Sequence, residues 1–516
     1  MTRQTFIQGA LILIIAGMIT RFLGFINRIV IARVMGEEGV GLYMMVLPTL
    51  FLIITLTQMG LPVAIAKRIA EANAMDDKKR IKKILILSSF IIFISSGIFT
   101  ILLFLLSPLI TNYLLTDPRT IFPLLAMIPA IPLIAFSSIL KGYFQGMHNM
   151  IPQSYAIIFE QIVRVVLVIV FVNLLLPYGV EYAAAGAMLS ILIGELCSFL
   201  YLFYTFKKHK SVKIRKNYFS NIKHSKDTLS SLFSIALPTT GSRLINSISS
   251  FIEPIIVTQS LALAGVASVL ITRQYGELMG YVIPILFLPT FITSSLATAI
   301  VPAISEAEAH NNRSMTISRI QQAIKISLVS GALATIILIL FSVPILTYMY
   351  GTAKATSFVK LMAPFFILLY IQTPLQASLQ ALDLAKQAMW NSFFGNLIKL
   401  STIFFLASNP QFGITGVALG ICVGVVLITF LHYATLKKAI KFSMDLIDIV
   451  KIIVLIVFTT LVGNVFYNLY LKMNHFVSFF LSLVGLIICY VLLLLSLKII
   501  TKKELIHIPI IKNWVK

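Results

Sequence analysis

Two arginines and two glycines in the first apolar segment of the chain share one helical face. In chain order they are Gly17, Arg21, Gly24 and Arg28, spaced i, i+4, i+7 and i+11. A guanidinium group suits phosphate because its planar fork can donate to two oxygens at once. The glycines would leave room for a ligand beside the helix. The spacing predicts an anion-binding stripe of Arg21, Gly24 and Arg28. The alternative is that the arginines pair with buried acids on neighbouring helices.

Further charged residues fall inside later apolar segments, where each would cost about 2.5–3.5 kcal/mol to insert. Glu160 and Arg164 are four residues apart, in the order that favours an ion pair within one helix. They, and Lys399 further on, either form structural ion pairs or couple to an ion. The seventh and eighth segments add Arg243, Glu253, Arg273 and Glu277. Arg243 and Arg273 are predicted to bind the substrate, and Glu253 and Glu277 to couple to an ion or to form ion pairs in a cavity.

Motifs of enzymes and metal proteins do not occur in the sequence. There is no GxxxxGK[ST], HExxH or GxSxG pattern, and the three cysteines show no CxxC spacing. We therefore predict that the chain is not an enzyme and that it holds no metal and no cofactor.

The elements that carry these residues are predicted to be membrane-spanning helices. The chain is 59% hydrophobic and 11% charged, whereas a soluble domain is nearer 45–50% and about 25%. The fold class is therefore an all-α membrane protein with about fourteen transmembrane helices. Apolar runs of spanning length occur at 6–33, 40–66, 84–110, 120–145, 154–177, 182–206, 229–258, 276–302, 322–349, 358–382, 388–408, 413–436, 447–470 and 476–500.

The distribution of Lys and Arg predicts the orientation of these helices. Basic residues crowd the loops after the second, sixth, twelfth and fourteenth runs, whereas the loops after the first, third and fifth carry mainly acids. Both termini are therefore predicted to lie in the cytoplasm, at the cell membrane. The net charge of +23 does not indicate nucleic-acid binding, because most of it lies in these loops. The basic stretch 207–226 is predicted to contact anionic membrane lipids.

An internal repeat predicts the domain organisation. At one offset of 235 residues, Glu71 aligns with Glu306, Gln145 with Gln380 and Arg164 with Lys399. The repeat covers six helices, so both copies have the same orientation in the membrane. We predict two pseudosymmetric six-helix lobes, 1–206 and 229–436, joined by a basic cytoplasmic linker, 207–228. Residues 437–516 would supply two extra C-terminal helices and a cytoplasmic end.

The segment from Thr20 to Tyr43, TRFLGFINRIVIARVMGEEGVGLY, resembles the amino-terminal signature of a known exporter family. This is the polysaccharide-export branch of the multidrug/oligosaccharidyl-lipid/polysaccharide (MOP) exporter superfamily. The chain resembles its stage V sporulation protein B group, relatives of the lipid II flippase, over essentially its whole length. Further support comes from Leu47-Pro48, Leu237-Pro238 and the segment AIVPAI at 299–304.

The resemblance implies alternating access and transport of an undecaprenyl-pyrophosphate-linked saccharide, such as a peptidoglycan precursor for the spore cortex. Of the cavity arginines of lipid II flippases, the first matches Arg21, and the second falls on Asn27, one residue before Arg28. The resemblance therefore implies that Asn27 also binds the substrate. A third arginine falls near Leu52 or Ile53 and is missing. The fourth falls near Glu277, with Arg273 one turn earlier.

Two alternatives stay open at the level of the sequence. One is a cation-coupled multidrug exporter of the same superfamily, although such exporters use acidic residues and the stripe here is basic. The other is a non-transporting scaffold, whose partners would be cell-wall synthesis proteins. The insertion cost of the buried arginines argues against the scaffold.

Overall fold

The structure is a computed structural model that describes residues 6–209, 226–444, 446–473 and 476–499. Every long element in these ranges is a helix, as a lipid-embedded backbone requires, because helices satisfy their own hydrogen bonds. Most of the predicted linker and the end of the chain lie outside the described residues. The α-helices are, in chain order, α1 (Phe6–Gln58), α2 (Leu61–Ala74), α3 (Lys78–Leu109), α4 (Ile121–Met127), α5 (Ala130–Gly146), α6 (Ile151–Leu175), α7 (Val180–His209), α8 (Lys226–Leu263), α9 (Ser268–Gly276), α10 (Ile283–Phe287), α11 (Thr290–Ala309), α12 (Arg313–Leu340), α13 (Ser342–Tyr350), α14 (Thr356–Ala381), α15 (Ala385–Ala407), α16 (Ile414–Ile440), α17 (Leu446–Met473) and α18 (Phe476–Ser496).

Short non-α segments connect several of these helices. The backbone is π-helical at Ile110–Leu114 and at Glu277–Val282, where it joins α9 to α10. It is 3₁₀-helical at Pro118–Thr120 and Leu176–Tyr178. Single-turn π segments of this kind are frequent at functional sites, and the second one carries Glu277.

Helix α1 differs from the sequence prediction of two separate runs with a loop at 34–39. The backbone stays helical through this region and leaves helical geometry at Gly36, which has φ 68° and ψ −175°. Glycine accepts this conformation without the clash that a Cβ would cause. A second break follows at Met59 and Gly60, both with positive φ, and α2 continues beyond it. The first two predicted spans are therefore joined through a single residue.

The chain is an all-helical membrane protein. Eleven helical stretches in the described ranges are long and apolar enough to cross a bilayer. The first of them, Ile15–Ala74, spans 60 residues, far more than the roughly 20 residues that one crossing needs. The prediction of many spanning helices is confirmed at this coarser level.

The helices form two compact units in the described part of the chain. Unit 1 contains the residues up to Pro284 together with Leu400–Val417, and unit 2 contains Ile285–Lys399 and the residues from Ala418 onward. The two predicted lobes follow the internal repeat and stay a prediction.

Glycine contacts set the packing inside unit 1. A Cβ at Gly142 of α5 would lie 2.8 Å from the Pro62 carbonyl oxygen, and one at Gly146 would lie 2.7 Å from that of Ala66. The two glycines form a GxxxG pattern, which lets two membrane helices approach closely. Helix α5 therefore packs directly on α2, and a buried apolar cluster that includes Ile65 and Tyr143 surrounds the contact. This packing fixes the position of Lys141, the neighbour of Gly142.

Unit 2 has its own apolar interior. One buried cluster is formed mainly by α11, α12 and α14, and another by α12, α17 and α18. Tyr370 is fully buried, and its hydroxyl donates to the Leu286 carbonyl oxygen at 2.9 Å. The Lys325 Nζ lies 3.2 Å from Asp448 Oδ2, which joins α12 to α17.

Candidate functional site

The predicted stripe on α1 lies on an open surface within unit 1. Arg21 and Arg28 are both exposed. A Cβ added at Gly17 or Gly24 would meet no other atom of the described residues within 4 Å, so no described helix occupies the space beside these glycines. The sequence suggested that the glycines make room for a ligand, and the structure leaves that room unfilled.

Asn27 has a different environment from its neighbour Arg28. Its side chain is 6% exposed, and its Oδ1 is buried without a hydrogen-bond partner in the described residues. The two side chains diverge because consecutive residues on a helix point about 100° apart. Arg28 presents its charge at the surface, whereas Asn27 points into the packed interior.

Four charged side chains meet in the interior of unit 1, and we call them the buried quartet: Lys141, Glu160, Arg164 and Glu195. Arg164 Nη2 lies 2.6 Å from Glu160 Oε1. Lys141 Nζ lies 3.3 Å from Glu195 Oε1 and 4.0 Å from Glu160 Oε2. Glu160 and Glu195 are only 7% and 3% exposed. With all four groups ionised the quartet is electrically neutral, which is what burial of charge requires.

Close helix packing brings the two glutamates of the quartet together. A Cβ at Gly194 of α7 would lie 3.1 Å from the Glu160 carbonyl oxygen of α6. The next residue along α7 is Glu195, so the glycine lets this carboxylate approach the side chain of Glu160. Sequence reasoning identified Glu160 and Arg164 but missed Lys141 and Glu195. The sequence did carry signals of the close helix contacts at these positions, namely Gly194 before Glu195 and Gly142 after Lys141.

A second charged cluster lies where the second part of α1, the loop after α3 and the C-terminal half of α9 meet. We call it the latch: Glu38, Asp117, Arg119, Thr272 and Arg273. Arg119 donates to Asp117 through Nε at 3.1 Å and Nη2 at 2.9 Å, and its Nη1 donates to Glu38 Oε1 at 2.5 Å. Arg273 Nε donates to Glu38 Oε2 at 2.9 Å. The buried Thr272 hydroxyl donates to Asp117 Oδ2 at 2.7 Å. The latch therefore ties three separate segments together.

Glycines next to the latch let α1 and α9 touch through their backbones. A Cβ at Gly276 would lie 1.9 Å from the Glu37 carbonyl oxygen, and one at Gly41 would lie 2.0 Å from that of Thr272. A Cβ at Gly280 would lie 2.1 Å from a methyl group of Val40. Gly276 and Gly280 form a second GxxxG pattern. Arg273, which the sequence predicts to bind the substrate, contacts Glu38 in the latch, and its role in substrate binding stays a prediction.

The carboxyl group of Asp117, in the loop between two spanning helices, makes the latch sensitive to acid. Burial raises the pKa of Asp117, but hydrogen bonds from Arg119 and Thr272 and the positive charge of Arg119 outweigh it, so the pKa lies below its ordinary value of 3.8. Because the pKa of Asp117 is lower in the folded protein than in the unfolded chain, its ionised carboxylate stabilises the fold at pH values above the ordinary pKa. This stabilisation is lost as the pH falls through the lowered pKa of the folded protein.

We expect Asp117→Asn to lower the melting temperature of the purified protein by a few degrees at neutral pH. The difference from the unchanged protein should shrink below about pH 4, as Asp117 itself becomes protonated. A pH series of thermal unfolding in detergent measures it, with Asp383→Asn at an exposed turn position as the control. A deficit that stays constant down to the lowest pH would contradict the assigned role.

The remaining predicted site residues are not brought together in one place. Glu253 is 9% exposed and lies within electrostatic range of the buried Tyr275 hydroxyl. Arg243 is exposed on α8, and Glu277 opens the π segment after α9. Lys399 belongs to unit 2, where its side chain lies against Gly424.

Comparison with known proteins identifies the family. The family model "Polysaccharide biosynthesis protein" matches residues 6–308, and the MatE model matches residues 254–405. Stage V sporulation protein B of Bacillus subtilis is 50% identical over 519 residues, 99% of each chain. Sporulation protein YkvU is 30% identical over 86% of this chain and 97% of its own length, and lipid II flippase MurJ is 23% identical over 76% of each; both are from Bacillus subtilis.

Solved structures show the same fold at low sequence identity. An inward-facing multidrug resistance MATE family transporter of the MOP superfamily superposes with a TM-score of 0.65 at 18% identity, covering 82% of this chain and 94% of the other. A MOP superfamily transporter from Pyrococcus furiosus superposes with a TM-score of 0.55 at 19% identity, covering 85% and 97%. The fold of the chain is therefore MATE-like.

These findings confirm the resemblance inferred from the α1 signature, and they confirm a multi-pass membrane transporter rather than an enzyme. The family model covers more than half of the chain, and a relative of 50% identity covers nearly all of it. The chain belongs to the polysaccharide biosynthesis protein family, as a homologue of stage V sporulation protein B.

Proposed function

We propose that the protein is a flippase that moves an undecaprenyl-pyrophosphate-linked saccharide across the cytoplasmic membrane. The substrate class is a peptidoglycan precursor such as lipid II, for which the relative MurJ is named. The name of the 50% identical relative supports a use during sporulation, and we propose that the precursor serves the spore cortex. Cell-wall synthesis proteins that supply or consume the precursor would be the partners.

The observation that carries this proposal is the open, arginine-bearing face of α1. Arg21 and Arg28 lie on it, and the space beside Gly17 and Gly24 holds no atom of the described residues within 4 Å. A pyrophosphate group carries the charge and the paired oxygens that guanidinium groups recognise. Inserting two arginines into an apolar helix is unfavourable, and neutralisation by an anionic substrate offsets this.

We propose fourteen spanning helices arranged as two six-helix lobes plus a C-terminal pair. The first spanning stretch, Ile15–Ala74, is long enough for two crossings. The break at Gly36 separates these two crossings. Helices α8 and α15 have 38 and 23 residues, enough for one crossing each. Together with the other ten stretches these give fourteen. The even count agrees with two cytoplasmic termini, as the Lys and Arg distribution predicts.

In this orientation the latch lies at the outer face of the membrane, and the contacts between α1 and α9 close that face. Alternating access requires this closure to break when the substrate leaves outward. The latch is suited to reversible opening because its Arg273–Glu38 pair is partly exposed, with Arg273 53% accessible, and exposed ion pairs contribute at most about 1 kcal/mol.

The proposal is tested with purified protein in liposomes that carry fluorescently labelled lipid II. A membrane-impermeant quencher reports how fast the label changes leaflet, and protein-free liposomes are the control. We expect flipping well above the protein-free rate. Equal rates with and without protein, under a membrane potential as well as without one, would refute lipid II as the substrate.

A cation-coupled multidrug exporter is the second candidate, favoured by the MatE match at residues 254–405. Such an exporter would move a cationic dye against its gradient when an ion gradient is imposed on the same liposomes. Dye transport without movement of labelled lipid II would favour this second function.

A further inference from the structure

The guanidinium group of Arg164 has unused hydrogen-bonding capacity. Its Nη2 binds Glu160 at 2.6 Å, whereas its Nε is buried with no partner in the described residues. A guanidinium group carries five N–H donors, and a buried donor without an acceptor is unfavourable by about 1–3 kcal/mol. The side chain of Arg164 is 18% exposed. Arg164 and Lys141 are therefore the two members of the buried quartet that a ligand can reach.

Tyr43 links Arg164 to the stripe on α1. This tyrosine is buried in the second part of α1, and its hydroxyl is within electrostatic range of both Arg164 and Arg28. Arg28 is the last arginine, in chain order, of the predicted anion-binding stripe. Both positive charges therefore act on the Tyr43 side chain, and an anion bound at Arg28 would be attracted by Arg164 as well.

The surroundings of Glu160 determine how the buried charge is balanced when Arg164 turns toward an anion. The charged groups that face Glu160 are Lys141 from α5, Glu195 from α7 and Arg164 from its own helix. Without Arg164, the two buried carboxylates would share the single charge of Lys141. Both carboxylates contact the same ammonium group, since Lys141 Nζ lies 3.3 Å from Glu195 Oε1 and 4.0 Å from Glu160 Oε2. A proton bound by either carboxylate would then restore neutrality.

We infer that Arg164 is shared between Glu160 and the phosphate of the substrate, so that anion binding is accompanied by uptake of one proton by the Glu160–Glu195 pair. In the empty protein, Arg164 neutralises Glu160. In the occupied protein, Arg164 donates to phosphate oxygens, and a proton from water takes its place between the two carboxyl groups. The charge of the buried quartet is then balanced in both states. This inference rests on the proposed function, and it names the coupling ion as a proton.

Calorimetric titration of the purified protein in detergent with undecaprenyl pyrophosphate tests the inference. Comparing buffers with different ionisation enthalpies gives the number of protons bound with the anion. We expect uptake of about one proton and an affinity that weakens by about tenfold for each unit of rising pH. Glu160→Gln should bind the anion with no proton uptake and little dependence on pH. Glu306→Gln, an exposed acid on α11, is the matched control and should behave like the unchanged protein.

The outcomes separate the inference from the proposed function. Anion binding without proton uptake in the unchanged protein would overturn the inference and leave the flippase standing. Proton uptake that persists in Glu160→Gln, with the variant still folded by size-exclusion chromatography, would also overturn it. Proton-linked binding combined with an absence of flipping would refute the proposed function alone. No binding of the anion at all would refute both.

Discussion

Replacing Gly276 with alanine is expected to reduce transport at least tenfold and to lower the melting temperature. The new Cβ would lie 1.9 Å from the Glu37 carbonyl oxygen and 2.8 Å from the Gly41 nitrogen. Both are backbone atoms, so α1 and α9 must separate and the latch beside them must loosen. Overpacking a contact usually costs about 1–3 kcal/mol, and a clash with rigid backbone belongs at the upper end of that range.

Gly97→Ala is the matched control for this experiment. Gly97 is also a helical glycine, in α3, but a Cβ there would meet nothing within 4 Å. Alanine is the better helix former by about 1 kcal/mol, so this variant should keep its melting temperature and its flipping rate. Lipid II flipping in liposomes and thermal unfolding in detergent measure both variants. If Gly276→Ala flips lipid as fast as Gly97→Ala does, the backbone contact is not part of the transport cycle.

Replacing Arg28 with alanine is expected to slow flipping by roughly 10- to 100-fold, because a hydrogen bond to a charged group contributes about 1.5–3 kcal/mol. Arg28→Lys should recover part of the rate, since lysine keeps the charge but not the planar fork. A weakened affinity for undecaprenyl pyrophosphate should accompany the loss. This pairing distinguishes a binding role from a purely structural one.

Arg33→Ala controls for the removal of one positive charge from the same helix. Arg33 is exposed, but it lies five residues beyond Arg28 and therefore about 140° around the helix. We expect its flipping rate to stay within about twofold of the unchanged protein, well inside the effect expected at Arg28. Equal losses in Arg28→Ala and Arg33→Ala would indicate that only the total charge of α1 matters.

The membrane class, the family and the exposed arginines could be read from the sequence because each depends on local composition or on a contiguous motif. Apolar length alone identifies a spanning helix, and the signature from Thr20 to Tyr43 is unbroken. Arg21 and Arg28 were predictable as a pair because helical periodicity places them on one face.

The charged clusters could not be predicted in full because their members come from distant segments. The latch joins Glu38 to Arg273 across 235 residues and to Arg119 across 81. The quartet joins Lys141 to Glu195 on different helices. Nothing in local periodicity encodes such partners. The glycines at 142, 194 and 276 did indicate positions where helices pack closely. A glycine in the sequence does not, however, identify the helix that packs against it.

The break at Gly36 has a mechanical consequence for α1. The arginine stripe lies on one side of this residue, and Glu38 of the latch lies two residues beyond it on the other. No loop separates the part of α1 before Gly36 from the part after it. The two parts of α1 therefore rotate relative to each other about the backbone of this one glycine. Arg21 lies 15 residues before Gly36, which is about 22 Å along a helix. A change of about 10° at Gly36 would therefore move Arg21 by about 4 Å while Glu38 hardly shifts. A small rotation near the latch becomes a large displacement of the charge that would hold the pyrophosphate.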